Sequence, residues 1–326
     1  MGRSTQTIPK RSISSSKVID QDFADPSLLQ DGNGWYAFAT NNHKTLGAPT
    51  RGAVNDNHLI NAQVAQSADF SSWSVLKTDA LPDPGTWTDI SVENRLITQQ
   101  DNDHYVMYYS AVAKNGNGKH CVGAATARNP QGPYTPSAKP LACPVDQGGA
   151  IDISGFQDTD GSRWVVYKID GNSITPGGAC GNNDPASRKP TPIILQKVTS
   201  DGVTPIESSY EILNRDESDG PLIEAPALAR TTDGKYILFF SSNCFSTKWY
   251  DLSYAFADSI TGPYVKRGPF AVTGDDGLYA PGGADIAADA VHLAFHAGDV
   301  GPNNTGARGM YTATLAIDTA NEIVNS

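Results

Sequence analysis

The sequence is poor in charge, and poorest in positive charge. Only 18% of its 326 residues are Asp, Glu, Lys or Arg, below the ~25% usual for soluble domains. Within that set 24 basic residues face 35 acidic ones, a net charge of −11 with histidine neutral. Nucleic acids and anionic membrane surfaces are held by clustered Lys and Arg, so neither is an expected partner. No apolar run approaches the ~18 residues of a membrane-spanning helix. The first 19 residues lack the apolar stretch of a secretory signal. The chain therefore reads either as intracellular or as a secreted form whose signal has been removed. The four cysteines, Cys121, Cys143, Cys180 and Cys244, include no Cys-x-x-Cys pair. That speaks against a thiolate metal centre, while their even number permits two disulfides. One sequon, Asn303-Asn304-Thr305, fits an exposed loop of a secreted protein, and secretion is the expected location.

What the chain does have is glycine, proline and aromatics. Its 31 Gly and 21 Pro are about one residue in six, against a usual level of roughly 12%. With 13 Tyr and 5 Trp, they point to short strands and turns rather than long helices. The length allows one or two domains and a large core without a metal or disulfide to hold it.

A repeat decides between those options. An acidic residue leads an apolar strand, a polar turn and a second aromatic-rich strand, and this unit recurs from Asp25, Asp89, Asp152, Glu224 and Asp285, at spacings of 61 to 72 residues. Asp31-Gly32, Asp160-Gly161 and Asp233-Gly234 mark hairpin turns within the units. Gly-Pro-Tyr turns at residues 132–134 and 262–264 mark a second pair of strands. Five phased units of four strands predict an all-β fold, a five-bladed β-propeller. The competing reading is an ordinary β-sandwich. A propeller closes when an N-terminal segment, here near Ser15–Asp20, completes the last blade. Residues 1–17 are accordingly read as a tail and 18–326 as a single domain.

Innermost strands line the axis, so the five leading acids would gather at one mouth of the channel. Crowded carboxylates force their pKa values apart, a separation that functional sites exploit. Glycoside hydrolysis uses such a pair, one carboxyl protonated for the leaving oxygen and one ionised to activate water. The alternative for each acid is a scaffold role, bonding backbone at its strand start. Glu224 differs from the rest by its extra methylene and its apolar frame, Pro221-Leu222-Ile223-Glu224-Ala225-Pro226. Desolvation there would raise its pKa toward general-acid range.

These strings resemble glycoside hydrolase family 43, the propeller arabinofuranosidases, arabinanases and xylosidases. Phe23-Ala24-Asp25-Pro26-Ser27, Ile151-Asp152-Ile153-Ser154-Gly155-Phe156, Ile223-Glu224-Ala225-Pro226 and Ser259-Ile260-Thr261-Gly262-Pro263-Tyr264 carry the resemblance, which spans roughly residues 18–318. It implies Asp25 as general base, Glu224 as general acid and Asp152 as the residue that tunes the acid's pKa and orients substrate. Two motifs depart from the family. Its Trp-Ala-Pro-Asp appears as Trp87-Thr88-Asp89-Ile90, which shifts Asp89. Its Gly-Pro-Gly-His appears as Ala280-Pro281-Gly282-Gly283, which removes a histidine that supports a central ion. His296 on the next strand is the candidate to replace it. Arg308 resembles a late arginine that reaches the active centre.

The resemblance implies single-displacement, inverting hydrolysis with no obligatory cofactor. A central calcium is left without its usual histidine, and no metal-ligand set is expected. Asp25 and Glu224 should then face one pocket at inverting separation. Trp87, Phe156 and Trp249 are candidate sugar platforms, with inter-blade packing as the competing role. Asp89, His296 and Arg308 complete the expected substrate-binding set. Loops Asp170–Asp184 and Ser241–Tyr250 should overhang the same face, and each holds one cysteine. Of the three pairings open to four cysteines, Cys180–Cys244 with Cys121–Cys143 is the expected one. The expected protein is a monomer acting on oligo- or polysaccharide of the plant cell wall, foremost as an α-L-arabinofuranosidase. Close alternatives are β-xylosidase, endo-arabinanase and exo-galactanase. A non-catalytic sugar- or protein-binding propeller and a retaining fructan-active relative are the competing classes.

Overall fold

A computed structural model describes residues 13–32, 34–40, 53–54, 58–100, 104–298 and 307–326; the Asn303 sequon lies outside them. Strand β1 (Ser16–Ile19) precedes β2 (Ser27–Asp31) and β3 (Gly34–Thr40), a two-stranded ribbon of β4 (Ala53–Val54) and β5 (His58–Leu59), then β6 (Ala62–Ser67) and β7 (Ser74–Val75). Blade one is the sheet β2-β3-β6-β7. Blade two follows with β8 (Thr88–Gln100), β9 (His104–Ala113), β10 (His120–Ala127) and β11 (Thr135–Pro136). Blade three comprises β12 (Ala150–Gln157), β13 (Arg163–Ile169), β14 (Ile193–Val198) and β15 (Tyr210–Leu213). Blade four comprises β16 (Ile223–Arg230), β17 (Tyr236–Ser242), β18 (Asp251–Ala257) and β19 (Val265–Ala271). Blade five runs outward through β20 (Gly282–Ile286), β21 (His292–Gly298) and β22 (Arg308–Thr314), and takes β1 as its outer strand. A terminal hairpin, β23 (Ala316–Asp318) and β24 (Ile323–Asn325), ends the chain. The architecture is the five-bladed propeller that the repeat predicts.

The hairpins form where the turn chemistry says they should. Gly161 and Gly234 adopt φ of +84° and +96°, the left-handed backbone in which glycine pays no Cβ penalty. Asp158 N–H then donates to Ser162 O, and Thr231 N–H to Lys235 O, closing each loop.

A ring of blades covers each sheet on both faces, so its inner strands are apolar on both sides rather than alternating. Along β17, Ile237 and Phe239 pack toward blade five while Tyr236, Leu238 and Phe240 pack toward blade three. Along β9, Met107 and Tyr109 face blade one while Val106 and Tyr108 face blade three. The strand's two-residue period thus serves two interfaces at once. Five apolar clusters fill the five junctions, including the junction of the first and last blades, where Trp35 and Ala37 meet Ala294 and Met310. Ring closure is also made by strand pairing: β1 pairs with β22 through Ser16–Thr312 and Ile19–Met310.

Candidate active site

The innermost strands of blades three, four and five each begin with a break in the ladder, whereas β2 of blade one pairs without one. The register slips between Ile151 and Ser154, Glu224 and Ala227, and Gly282 and Asp285. Left-handed backbone occurs at Asp152 (φ +58°), Ala225 (+59°) and Gly283 (+59°), and also at Asp25 (+51°). The freed N–H of each is received by the preceding blade. Asp25 donates to His296 Nδ1 at 3.0 Å, Asp152 to Ser110 Oγ at 3.0 Å, Ala225 to Asp152 Oδ2 at 2.8 Å and Gly283 to Ser241 Oγ at 2.9 Å. At Asp152, Ala225 and Gly283 the bulges take the backbone out of the regular ladder, as bulges beside active sites do; Asp25 reaches the same conformation just ahead of β2.

The five leading acids are therefore not equivalent. Asp25 and Asp152 occupy the left-handed position itself, Glu224 stands one residue before it, and Asp285 two residues after it. Asp285 is buried, and its Oδ2 accepts the Leu28 N–H at 2.7 Å, tying blade five to blade one. Asp89, the second residue of β8, is solvent-exposed.

Asp25, Asp152 and Glu224 converge. Burial pushes the Glu224 carboxyl above the usual glutamate range; the nearby Lys168 ammonium opposes that shift, and the charges of Asp152 and Asp25 reinforce it. The Glu224 side chain keeps only 12% of its surface exposed, and its Oε2 lies 3.1 Å from Lys168 Nζ. Lys168 is fully enclosed and lies 3.0 Å from Asp170 Oδ1 as well. Although its own burial works against the charged form, Asp170, Glu224 and Asp152 keep its pKa above the ordinary lysine value. Around Asp25, Arg308 Nη1 approaches Oδ2 at 3.6 Å and the Thr40 hydroxyl donates to Oδ2 at 3.5 Å. His296 Nδ1 lies 3.5 Å from Oδ1. Because that nitrogen accepts the Asp25 N–H, the neutral ring carries its proton on Nε2.

The remaining expected residues are dispersed. The Trp87 indole stacks on Tyr109 with centroids 5.5 Å apart and packs so tightly on Gly123 that a Cβ there would collide with it. Phe156 is buried edge-on to Tyr236 in the junction of blades three and four. Both occupy the packing role rather than an open face. Trp249 is 66% exposed on the loop that leaves β17 opposite Glu224. Its neighbour Tyr250 stacks on His296 at 5.9 Å and 12°. On the same loop Phe245 is 45% exposed and lies under the Arg308 guanidinium at 5.5 Å. Cys180–Cys244 ties this loop to the one after β13, and Cys121–Cys143 closes a turn in blade two.

Lys168, Thr40, Phe245 and Tyr250 escape the sequence reading. Lys168 alone leaves a trace, as the one charge in the run Trp164–Ile169 of β13, since a fully buried lysine is almost always paired. The expectation about a central ion bears on Gly283 and His296. At position 283 a Cβ would collide with Asp25 Oδ1 and the His296 ring. His296 Nδ1 is engaged by the Asp25 N–H, and among the described residues no group of three or more His, Cys, Asp or Glu converges as ligands. A pocket lined by Asp31, Trp35, Gln66 and Ser74 on blade one contains none of the site's carboxylates.

Comparison with known proteins follows the same residues. The family model described as glycosyl hydrolases family 43 matches residues 15–314. The extracellular endo-α-(1→5)-L-arabinanase 1 of Bacillus subtilis strain 168 is 26% identical over 298 residues, 86% of this chain and 81% of that protein. The β-D-galactofuranosidase of Aspergillus niger is 26% identical over 265 residues, 70% of this chain and 69% of that protein. Among solved structures, native Bacillus subtilis arabinanase superposes with a TM-score of 0.68 at 22% identity, covering 94% of this chain and 98% of that one. A thermostable family-43 glycoside hydrolase gives 0.71 at 20% identity, covering 97% and 94%.

Proposed function

This chain belongs to glycosyl hydrolase family 43, and on that premise we propose that it is an inverting α-L-arabinofuranosidase acting on arabinan or arabinoxylan of the plant cell wall. The family membership makes it a glycosidase; the linkage, the stereochemistry and the residue roles are our reading. Asp25 takes a proton from water as the water oxygen bonds to the anomeric carbon. Glu224 gives its proton to the departing glycosidic oxygen as the old C–O bond breaks on the opposite face. Asp152 keeps Glu224 protonated between turnovers by its adjacent negative charge. One displacement inverts the anomeric centre without a covalent intermediate.

The observation that carries this reading is the contrast between the carboxyls. Glu224 is enclosed, and desolvation together with Asp152 and Asp25 raises its pKa, the state a general acid needs. Asp25 faces Arg308 and accepts from Thr40, surroundings that favour a carboxylate. Arg308 and Trp249 are proposed to line the sugar site, with Phe245 as an additional platform; His296, expected to bind substrate, is fully buried against Tyr250 and instead holds the Asp25 backbone. The two disulfides fit an oxidising compartment, and with the extracellular Bacillus relative they support secretion.

The test is hydrolysis of aryl arabinofuranosides, aryl xylosides and linear arabinan by wild type beside Glu224→Ala. Arabinose release that falls by about 10²–10⁴-fold in the variant is the expected result. A wild type that cleaves no glycoside would reject the enzyme reading in favour of a binding propeller, and a variant as active as an active wild type would reject Glu224 as the general acid. Endo-arabinanase is the second reading, favoured by the Bacillus relative. Oligosaccharides rather than arabinose as first products would select it.

A further inference from the structure

Lys168 sits at a position that recurs around the ring. It pairs with Ile151, as Ser241 pairs with Glu224 and His296 with Gly282. In every case the partner immediately precedes the left-handed residue of its own blade. Ser241 and His296 use this position to catch the entrance N–H of the next blade. Blade three does otherwise. The N–H of Ala225 goes to Asp152, and Lys168 reaches past it to the Glu224 side chain at 3.1 Å. A latch position has been given over to a charged group.

We propose that Lys168 is a positioning residue for Glu224: its ammonium, shared with Asp170, fixes Oε2 so that the proton resides on Oε1, and it receives the negative charge that appears when that proton leaves. The proposal rests on the reading of Glu224 as general acid. The charged groups facing Glu224 are Lys168 of β13 and Asp170 just after it, Asp152 of β12, and Asp25, itself flanked by His296 of β21 and Arg308 of β22. Two carboxylates and a desolvated site alone would leave Glu224 holding its proton too tightly, because acid catalysis weakens as the acid's pKa climbs beyond the working pH. An unshared ammonium at hydrogen-bond distance would err the other way and strip the proton. Asp170 divides the ammonium's attraction, and the division sets the acid between those limits. An ammonium fixed before the reaction stabilises developing charge without reorganisation.

The proposal makes two substitutions act with opposite sign. Lys168→Met removes the ammonium, so the Glu224 titration and the alkaline limb of kcat/KM both move to higher pH. Asp170→Asn leaves the whole ammonium to Glu224, so both move lower. Hydrolysis of alkyl arabinofuranosides, whose leaving group needs the proton, should fall by about 10²-fold in Lys168→Met. Dinitrophenyl arabinofuranosides, which leave unaided, should change by less than about threefold. Carboxyl-carbon NMR of Glu224 follows the titration in the absence of substrate. It judges the hold of Lys168 even if no glycoside is cleaved, a result that would reject the enzyme reading instead. Should Lys168→Met fail to fold with Asp170 stranded, the double variant Lys168→Met/Asp170→Asn replaces it, with the same upward shift expected. Equal losses on both leaving groups with fixed pH limbs, or shifts of one sign from Lys168→Met and Asp170→Asn, would overturn the proposal.

Discussion

Left-handed backbone outside glycine costs on the order of 1 kcal/mol or more per residue, and Asp25, Asp152 and Ala225 all adopt it. At Asp152 the compensation is explicit, because the carboxylate that charges the site also receives the Ala225 N–H. The two roles separate by substitution. Asp152→Asn keeps an acceptor for that N–H and removes the charge, so the alkaline limb of activity should shift to lower pH with little change in melting temperature. Asp152→Ala should shift the limb equally and lose about 1–2 kcal/mol besides, read from thermal melts. Glu224 makes a stability claim of its own. Its pKa is raised in the fold, so between the ordinary glutamate value and the raised one the native state holds a proton that the unfolded chain releases. Native stability from this group is present at low pH and is lost as pH rises through the folded value. Glu224→Gln does not titrate, and its melting temperature relative to wild type should climb as pH rises above the ordinary glutamate value and through the raised one. The repeat displays Asp25, Asp152 and Glu224 among five leading acids, and only the family resemblance singles them out. The one-residue offset of Glu224 and the two-residue offset of Asp285 were not legible, since a bulge shifts a residue's place without altering the pattern of residue types. Lys168 was hidden for a related reason: its partner is 56 residues away, and no local pattern announces a long-range ion pair.

At the scale of elements, inner hairpins and rim loops divide the labour. The hairpins were readable from apolar runs and Asp-Gly turns, because turn chemistry is local. The rim loops were readable only in outline. Their cysteines suggested the bridge, but the placement of Phe245 and Tyr250 depends on how the loop folds back over Arg308 and His296. Trp87 and Phe156 looked like platforms for want of any sequence mark that separates an aromatic between blades from one over the channel. Cys180–Cys244 spans 64 residues, a closure worth about 2–4 kcal/mol. Cys180→Ser/Cys244→Ser should therefore melt earlier by that order. It should also raise KM for arabinan more than for a small aryl arabinofuranoside, because the loop carries the exposed rim aromatics. A change in KM that is equal for both substrates would remove the loop from polymer binding.

The whole molecule is a ring that its own N-terminus closes, and this was the most legible feature of all. Five phased units leave little alternative to a propeller, and their spacing also foretold a segment returning to the last blade. The closing strand is a structural necessity: Ile19 packs with Met310 and Trp35 in the junction of blades five and one. Truncation before Phe23 should expose the edge of β22 and abolish the cooperative melt, measured by circular dichroism. Of the acids noted at the outset, Asp25, Asp152 and Glu224 come close enough for the first two to act on the charge of the third.

Asp25 and Glu224 belong to blades one and four, which are not neighbours in the ring, so no pairing of their strands sets the gap between them. That gap is the remainder after five wedge angles have been added around a closed circle. The blade between them in the short direction is the fifth, and Ala284, buried on β20 against the blade-four core, works as a shim. Thickening it with Ala284→Val should alter the space left for the attacking water and lower kcat, with both carboxyls and all their hydrogen-bond partners chemically intact. On the proposed roles of Asp25 and Glu224, the span between them is a circumferential quantity, and Ala284→Val tests whether it is tuned from a residue that never meets the sugar.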